Sequence, residues 1–117
     1  MVRACVAVAG LALASVAFAH AMLDRASPPV GSQVAASPPR IELWFTEELE
    51  PAFSSVKVLD PGGRQVDQGD TAFNAGAPGH VVVSVPPLAS GRYRVVWRAV
   101  SVDTHVTSGD YSFDIAP

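Results

Sequence analysis

At 117 residues, with 8 basic residues against 11 acidic ones and a formal charge of −3, the chain suits one domain. The charges are scattered and net acidic, which argues against nucleic acid as a partner. The single cysteine, Cys5, lies near the chain start, so no disulfide framework is available to the rest.

The first residues read as a secretory signal. Arg3 supplies a positive start, the stretch from Ala4 to Phe18 is almost wholly apolar, and Ala17-Phe18-Ala19 is the small-x-small pattern that signal peptidase prefers. The apolar run is too short for a membrane-spanning helix, which needs about 20 residues. Residues 1–19 are therefore expected to be a cleaved signal peptide and residues 20–117 the mature domain, beginning at His20. Losing Arg3 takes the charge from −3 to −4 and removes Cys5.

Along the mature chain, helical periodicity is nearly absent and short alternating runs dominate. Ile41, Leu43 and Phe45 fall on one face of a strand, because successive side chains point to opposite sides. Val56 and Val58 repeat the pattern over residues 55–59. A polar, Gly-rich stretch over 65–79 reads as a loop, with one short edge strand around Ala72-Phe73. Residues 80–85 form a third run between Pro78-Gly79 and Pro86-Pro87. The clearest strand covers 92–101, with Tyr93, Val95, Trp97 and Ala99 on one face. Tyr111, Phe113 and Ile115 mark the last. Turn signals at Ser27-Pro28-Pro29, Ser37-Pro38-Pro39, Asp60-Pro61-Gly62-Gly63, Ser90-Gly91 and Ser108-Gly109 separate them. The pattern predicts an all-β fold, an immunoglobulin-like Greek-key β-sandwich of about seven strands.

The candidate site joins the two ends of the mature chain. In an extended segment residues i and i+2 share a face, so Asp103 and His105 of Asp103-Thr104-His105 can converge on one point. As a free N-terminus, His20 adds two donors, its α-amine and its Nδ1, which close a six-membered chelate ring on one metal. Three nitrogens and a carboxylate oxygen make a tetragonal set that suits Cu(II) better than zinc. Asp-x-His in a loop is more often a solvated turn, and a terminal histidine can arise by chance. His80, between Gly79 and Val81-Val82-Val83, reads as an edge or loop histidine rather than a ligand. Glu48 and Glu50 read as a solvated acidic turn.

The start His20-Ala21-Met22-Leu23, the segment Ile41-Glu42-Leu43-Trp44-Phe45-Thr46-Glu47 and the block from Trp97-Arg98 through Ser101 and Asp103-Thr104-His105 to Gly109 resemble the CopC copper-resistance family. The resemblance runs over essentially the whole mature chain. It implies a periplasmic β-sandwich carrier, not an enzyme, that binds one Cu(II) per chain through His20, Asp103 and His105. Glu47 is a weaker candidate, axial or one step removed from the metal. The resemblance also implies an inner-membrane copper permease as partner; separately, the mature chain is expected to be a monomer. Family members with a second, Cu(I) site carry a Met-rich loop with a histidine, since soft thioethers select Cu(I). Here residues 60–70 hold neither Met nor His, and Met22 is the one methionine left after processing, so the Cu(II)-only form is expected. Two other functions remain open: a copper redox enzyme resembling the histidine brace of lytic polysaccharide monooxygenases, and a metal-free sandwich interaction module.

Overall fold

The computed structural model describes residues 21–117; the expected signal peptide and His20 lie outside the described residues. Eight strands make up the described chain: β1 (Leu23–Ser27), β2 (Gln33–Val34), β3 (Arg40–Phe45), β4 (Ser55–Leu59), β5 (Ala72–Phe73), β6 (His80–Ser84), β7 (Gly91–Val100) and β8 (Val106–Ile115). They form two four-stranded sheets with strand orders β1-β3-β6-β5 and β2-β8-β7-β4. The chain crosses between sheets after β1, β2, β3, β4 and β6, the interleaving of a Greek-key sandwich. There is no helix among the described residues, and so none long and apolar enough to cross a membrane.

Alternation builds the core as the sequence implies. Ile41, Leu43 and Phe45 from β3 and Val81 and Val83 from β6 face Val56 and Val58 from β4, Tyr93, Val95 and Ala99 from β7, and Tyr111, Phe113 and Ile115 from β8, all buried. Each large apolar side chain so removed from water contributes about 1.5–3 kcal/mol, and with no cysteine after Cys5 this packing carries the fold. The Tyr93 hydroxyl donates to the Ala89 carbonyl at 2.8 Å, fixing the entry to β7 much as a tyrosine corner does.

Three features depart from the sequence reading. β1 and β2 were not expected: β1 carries a register irregularity between Leu23 and Arg25 that breaks its alternation, and β2 is two residues pairing parallel to β8. Trp97, expected in the core, is only partly buried and packs at its margin. Ser108-Gly109 is no turn but lies inside β8, which pairs with β7 from Val106 to Ile115. Gly109 sits opposite Trp97, and a Cβ there would collide with the indole, so the glycine marks a close approach within a strand.

Candidate metal centre

The β7–β8 hairpin ends in a turn over residues 101–105 at one end of the sandwich. Its backbone closes through Thr104 N–H to the Ser101 carbonyl at 2.8 Å and Ser101 N–H to the His105 carbonyl at 2.9 Å. Thr104 adopts φ +73°, a left-handed conformation that is a genuine outlier for a β-branched residue. Such strain costs about 1–3 kcal/mol and concentrates at functional sites. Asp103 and His105 do meet, but not by extended alternation as expected. The reversal at Thr104 folds one toward the other, bringing Asp103 Oδ1 to 3.2 Å from His105 Nδ1.

Ser101 is 1% exposed, and its hydroxyl donates to Asp103 Oδ1 in a short contact. The Asp103 carboxyl is held below the ordinary carboxylate value, chiefly by this hydroxyl. Partial desolvation opposes the shift, and smaller favourable contributions come from the side chain and backbone N–H of His105. The carboxylate is thus kept ionised at the hairpin tip.

Two further segments converge on this end. The Ala21 carbonyl accepts a 2.6 Å hydrogen bond from Thr107 Oγ1, two residues beyond His105, and Ala21 is buried. Met22 pairs with Thr46 in both directions, N–H to Thr46 Oγ1 at 3.0 Å and carbonyl from Thr46 N–H at 2.9 Å. The chain start is thereby fixed between β8 and the segment that follows β3. That segment runs beside the hairpin, with Val102 N–H on the Glu48 carbonyl at 3.1 Å, Glu50 N–H on the Val100 carbonyl at 2.8 Å and a bridge between Leu49 and Ser101. Glu47 is half-buried between Thr46, which holds the chain start, and Glu48, which holds the hairpin turn. The clamping hydroxyls of Thr46 and Thr107 were not visible in the sequence, because each acts on a partner distant along the chain.

His80 belongs to a different neighbourhood. Its ring stacks on Trp44 at 4.8 Å and 5°, its Nε2 lies 3.2 Å from Glu42 Oε1, and its Nδ1 lies 3.3 Å from Asn74 Nδ2. Both nitrogens have partners, and the residue begins β6, between β3 and β5, rather than lying at an edge or in a loop. Among the described residues no three His, Cys, Asp or Glu side chains gather as a metal-holding set. Asp103 and His105 supply two donors, and His20 lies outside the described residues.

Comparison with known proteins accords with this architecture. Residues 23–116 match the family model described as CopC domain. The chain is 35% identical to copper resistance protein C of Pseudomonas syringae pv. tomato over 113 residues, covering 92% of this chain and 89% of the relative. It is 33% identical over 106 residues to the copper transport protein CutJ of Bacillus subtilis, covering 88% of this chain but only 19% of that longer protein. The crystal structure of CopC from Methylosinus trichosporium OB3b superposes with a TM-score of 0.78 at 39% identity, over 84% of this chain and 95% of that one. PcoC of Escherichia coli, described as a methionine-rich copper resistance protein, gives a TM-score of 0.73 at 37% identity, over 84% and 100% of the two chains. The two curated relatives described above carry the names of a copper resistance protein and a copper transport protein. On the family match and these identities, the chain belongs to the CopC family.

Proposed function

We propose that this protein is a periplasmic Cu(II) carrier whose signal peptide, residues 1–19, is cleaved to leave His20 as the first residue of the domain. Copper is its cargo, one ion per chain, held by the α-amine and imidazole of His20, the carboxylate of Asp103 and the imidazole of His105. The observation that carries the reading is the pairing of Asp103 with His105 on a strained turn beside the anchored chain start. Two donors bound side by side at about 2.0–2.2 Å from one ion lie roughly 3 Å apart, close to the 3.2 Å between Oδ1 and Nδ1. Ala21 is fixed to Thr107, and consecutive Cα atoms are about 3.8 Å apart, so a terminal His20 has only a short reach to make. Glu47 tunes the charge around the ion from the segment that holds the chain start.

Methionine content favours the Cu(II)-only form. The Escherichia coli relative is described as methionine rich, whereas Met22 is the one methionine among the described residues here. The names of the relatives favour carriage over catalytic turnover. A membrane copper permease is the fitting recipient or donor, and the segment equivalent to this chain in the Bacillus subtilis copper transport protein is joined to a much longer chain.

The nitrogen donors set the pH dependence. An unperturbed α-amine titrates near ~7.7–8.0, while the Asp103 carboxyl is held below its ordinary value, chiefly by the Ser101 hydroxyl. Each nitrogen must be unprotonated to bind the ion, so Cu(II) affinity falls as pH falls. Cu(II) titration of the processed chain followed by electron paramagnetic resonance tests the reading. The expected result is one equivalent bound with an axial, nitrogen-split signal; a spectrum of unbound Cu(II) at one equivalent rejects it.

A further inference from the structure

Resting on this reading of the site, we infer that Ser101 is its positioning residue, fixing the Asp103 carboxylate against His105 and thereby setting the geometry in which copper is held. Ser101 is the one fully buried polar residue among those described, at 1% exposure. Alanine would pack equally well at that bridge position opposite Leu49, and burying a hydroxyl is costly unless it is hydrogen-bonded. Its partner is the Asp103 carboxylate.

Every side-chain contact recorded for Asp103 falls on the same oxygen. Oδ1 receives the Ser101 hydroxyl, lies 3.2 Å from His105 Nδ1 and accepts the His105 backbone N–H at 3.5 Å. The serine also holds both ends of the turn through its backbone, accepting from Thr104 N–H at 2.8 Å and donating to the His105 carbonyl at 2.9 Å. Its hydroxyl lies 3.3 Å from that same carbonyl. The Asp103 side chain is 44% exposed, so packing does little to restrain it. Without the hydroxyl, the carboxylate is free to turn toward solvent, and copper must order it on binding. Groups that orient metal ligands in this way are worth about 10–100-fold in affinity.

A double-mutant cycle on the processed chain, read by competitive Cu(II) titration and by the copper resonance spectrum, tests this assignment. Ser101→Ala is expected to lower Cu(II) affinity about 10-fold and to alter the copper hyperfine pattern, with a thermal midpoint close to the parent. In an Asp103→Ala background the same change is expected to have little further effect, because Ser101 acts through that carboxylate. Additive losses in the two backgrounds would assign Ser101 a purely structural role and overturn the inference. So would an unchanged spectrum and affinity in Ser101→Ala. Should the alanine variant fail to fold, Ser101→Thr keeps the hydroxyl: a parental spectrum supports the inference, and a folded threonine variant with the spectrum of Asp103→Ala overturns it. His105→Ala, run alongside, separates the two levels. If its affinity is intact, the copper site itself has been misread; if it loses copper while Ser101→Ala does not, only the positioning role fails.

Discussion

His80 and His105 differ in what the surrounding backbone does with the ring. His80 begins β6, paired opposite Trp44, and its 15%-exposed side chain is held on three sides. Asn74 Oδ1 accepts the Gly76 N–H at 3.0 Å, which turns its amide nitrogen toward His80 Nδ1. The ring thus has a polar partner at each nitrogen, the Asn74 amide at Nδ1 and the Glu42 carboxylate at Nε2. Trp44 covers one face and carries the Arg25 guanidinium 4.0 Å from its own centroid. His105 instead follows a left-handed residue on a turn, 39% exposed, with a carboxylate beside Nδ1. Each ring lies beside a carboxylate, but the regular strand encloses its histidine with a stacked indole and a second polar partner, whereas the strained turn leaves its own more exposed.

That contrast is broken most severely at His105. Loss of a group that merely orients a metal ligand costs about 10–100-fold, so removing a ligand itself should cost more than about 100-fold in Cu(II) affinity. His105→Ala is expected to do so with its thermal midpoint nearly unchanged, since the ring is partly exposed and outside the core. Calorimetric or chelator-competition titration checks this, and parental affinity would contradict it.

The sequence reading succeeds and fails for physical reasons that this same contrast brings out. β3, β4 and β6 alternate cleanly because one face of each is buried, β7 does so through Tyr93 and Val95, and even the two-residue β5 was legible from Ala72-Phe73 in a polar stretch. β1 was hidden by its register break, and the first half of β8 by polar residues and a glycine that exists to admit Trp97. The Asp103 and His105 pair was legible as a spacing. The turn that unites it was not, because a β-branched residue is a poor candidate for positive φ. Nor was the clamp on the chain start, which depends on Thr107 meeting Ala21 across 86 residues.

Smaller effects sharpen the comparison. Glu47→Gln removes a charge near the ion without removing a donor, and is expected to weaken binding by less than about 10-fold, with the fold intact in thermal melts. His80→Ala is expected to leave Cu(II) affinity unchanged within error. It should cost about 1–2 kcal/mol of stability through the lost contacts to Glu42 and Asn74 and the Trp44 stack, seen in urea denaturation. Copper binding as sensitive to His80 as to His105 would move the site to the other histidine.

The most direct measurement compares Cu(II) affinity and spectrum for the chain beginning at His20 with a version carrying one additional N-terminal residue. The extension turns the terminal amine into an amide and removes one nitrogen from the site, while Ala21 stays bonded to Thr107. The expected result is a marked loss of affinity and a changed nitrogen splitting in the extended form alone. Equal affinity and identical spectra in the two would contradict a site built on the first residue of the processed chain.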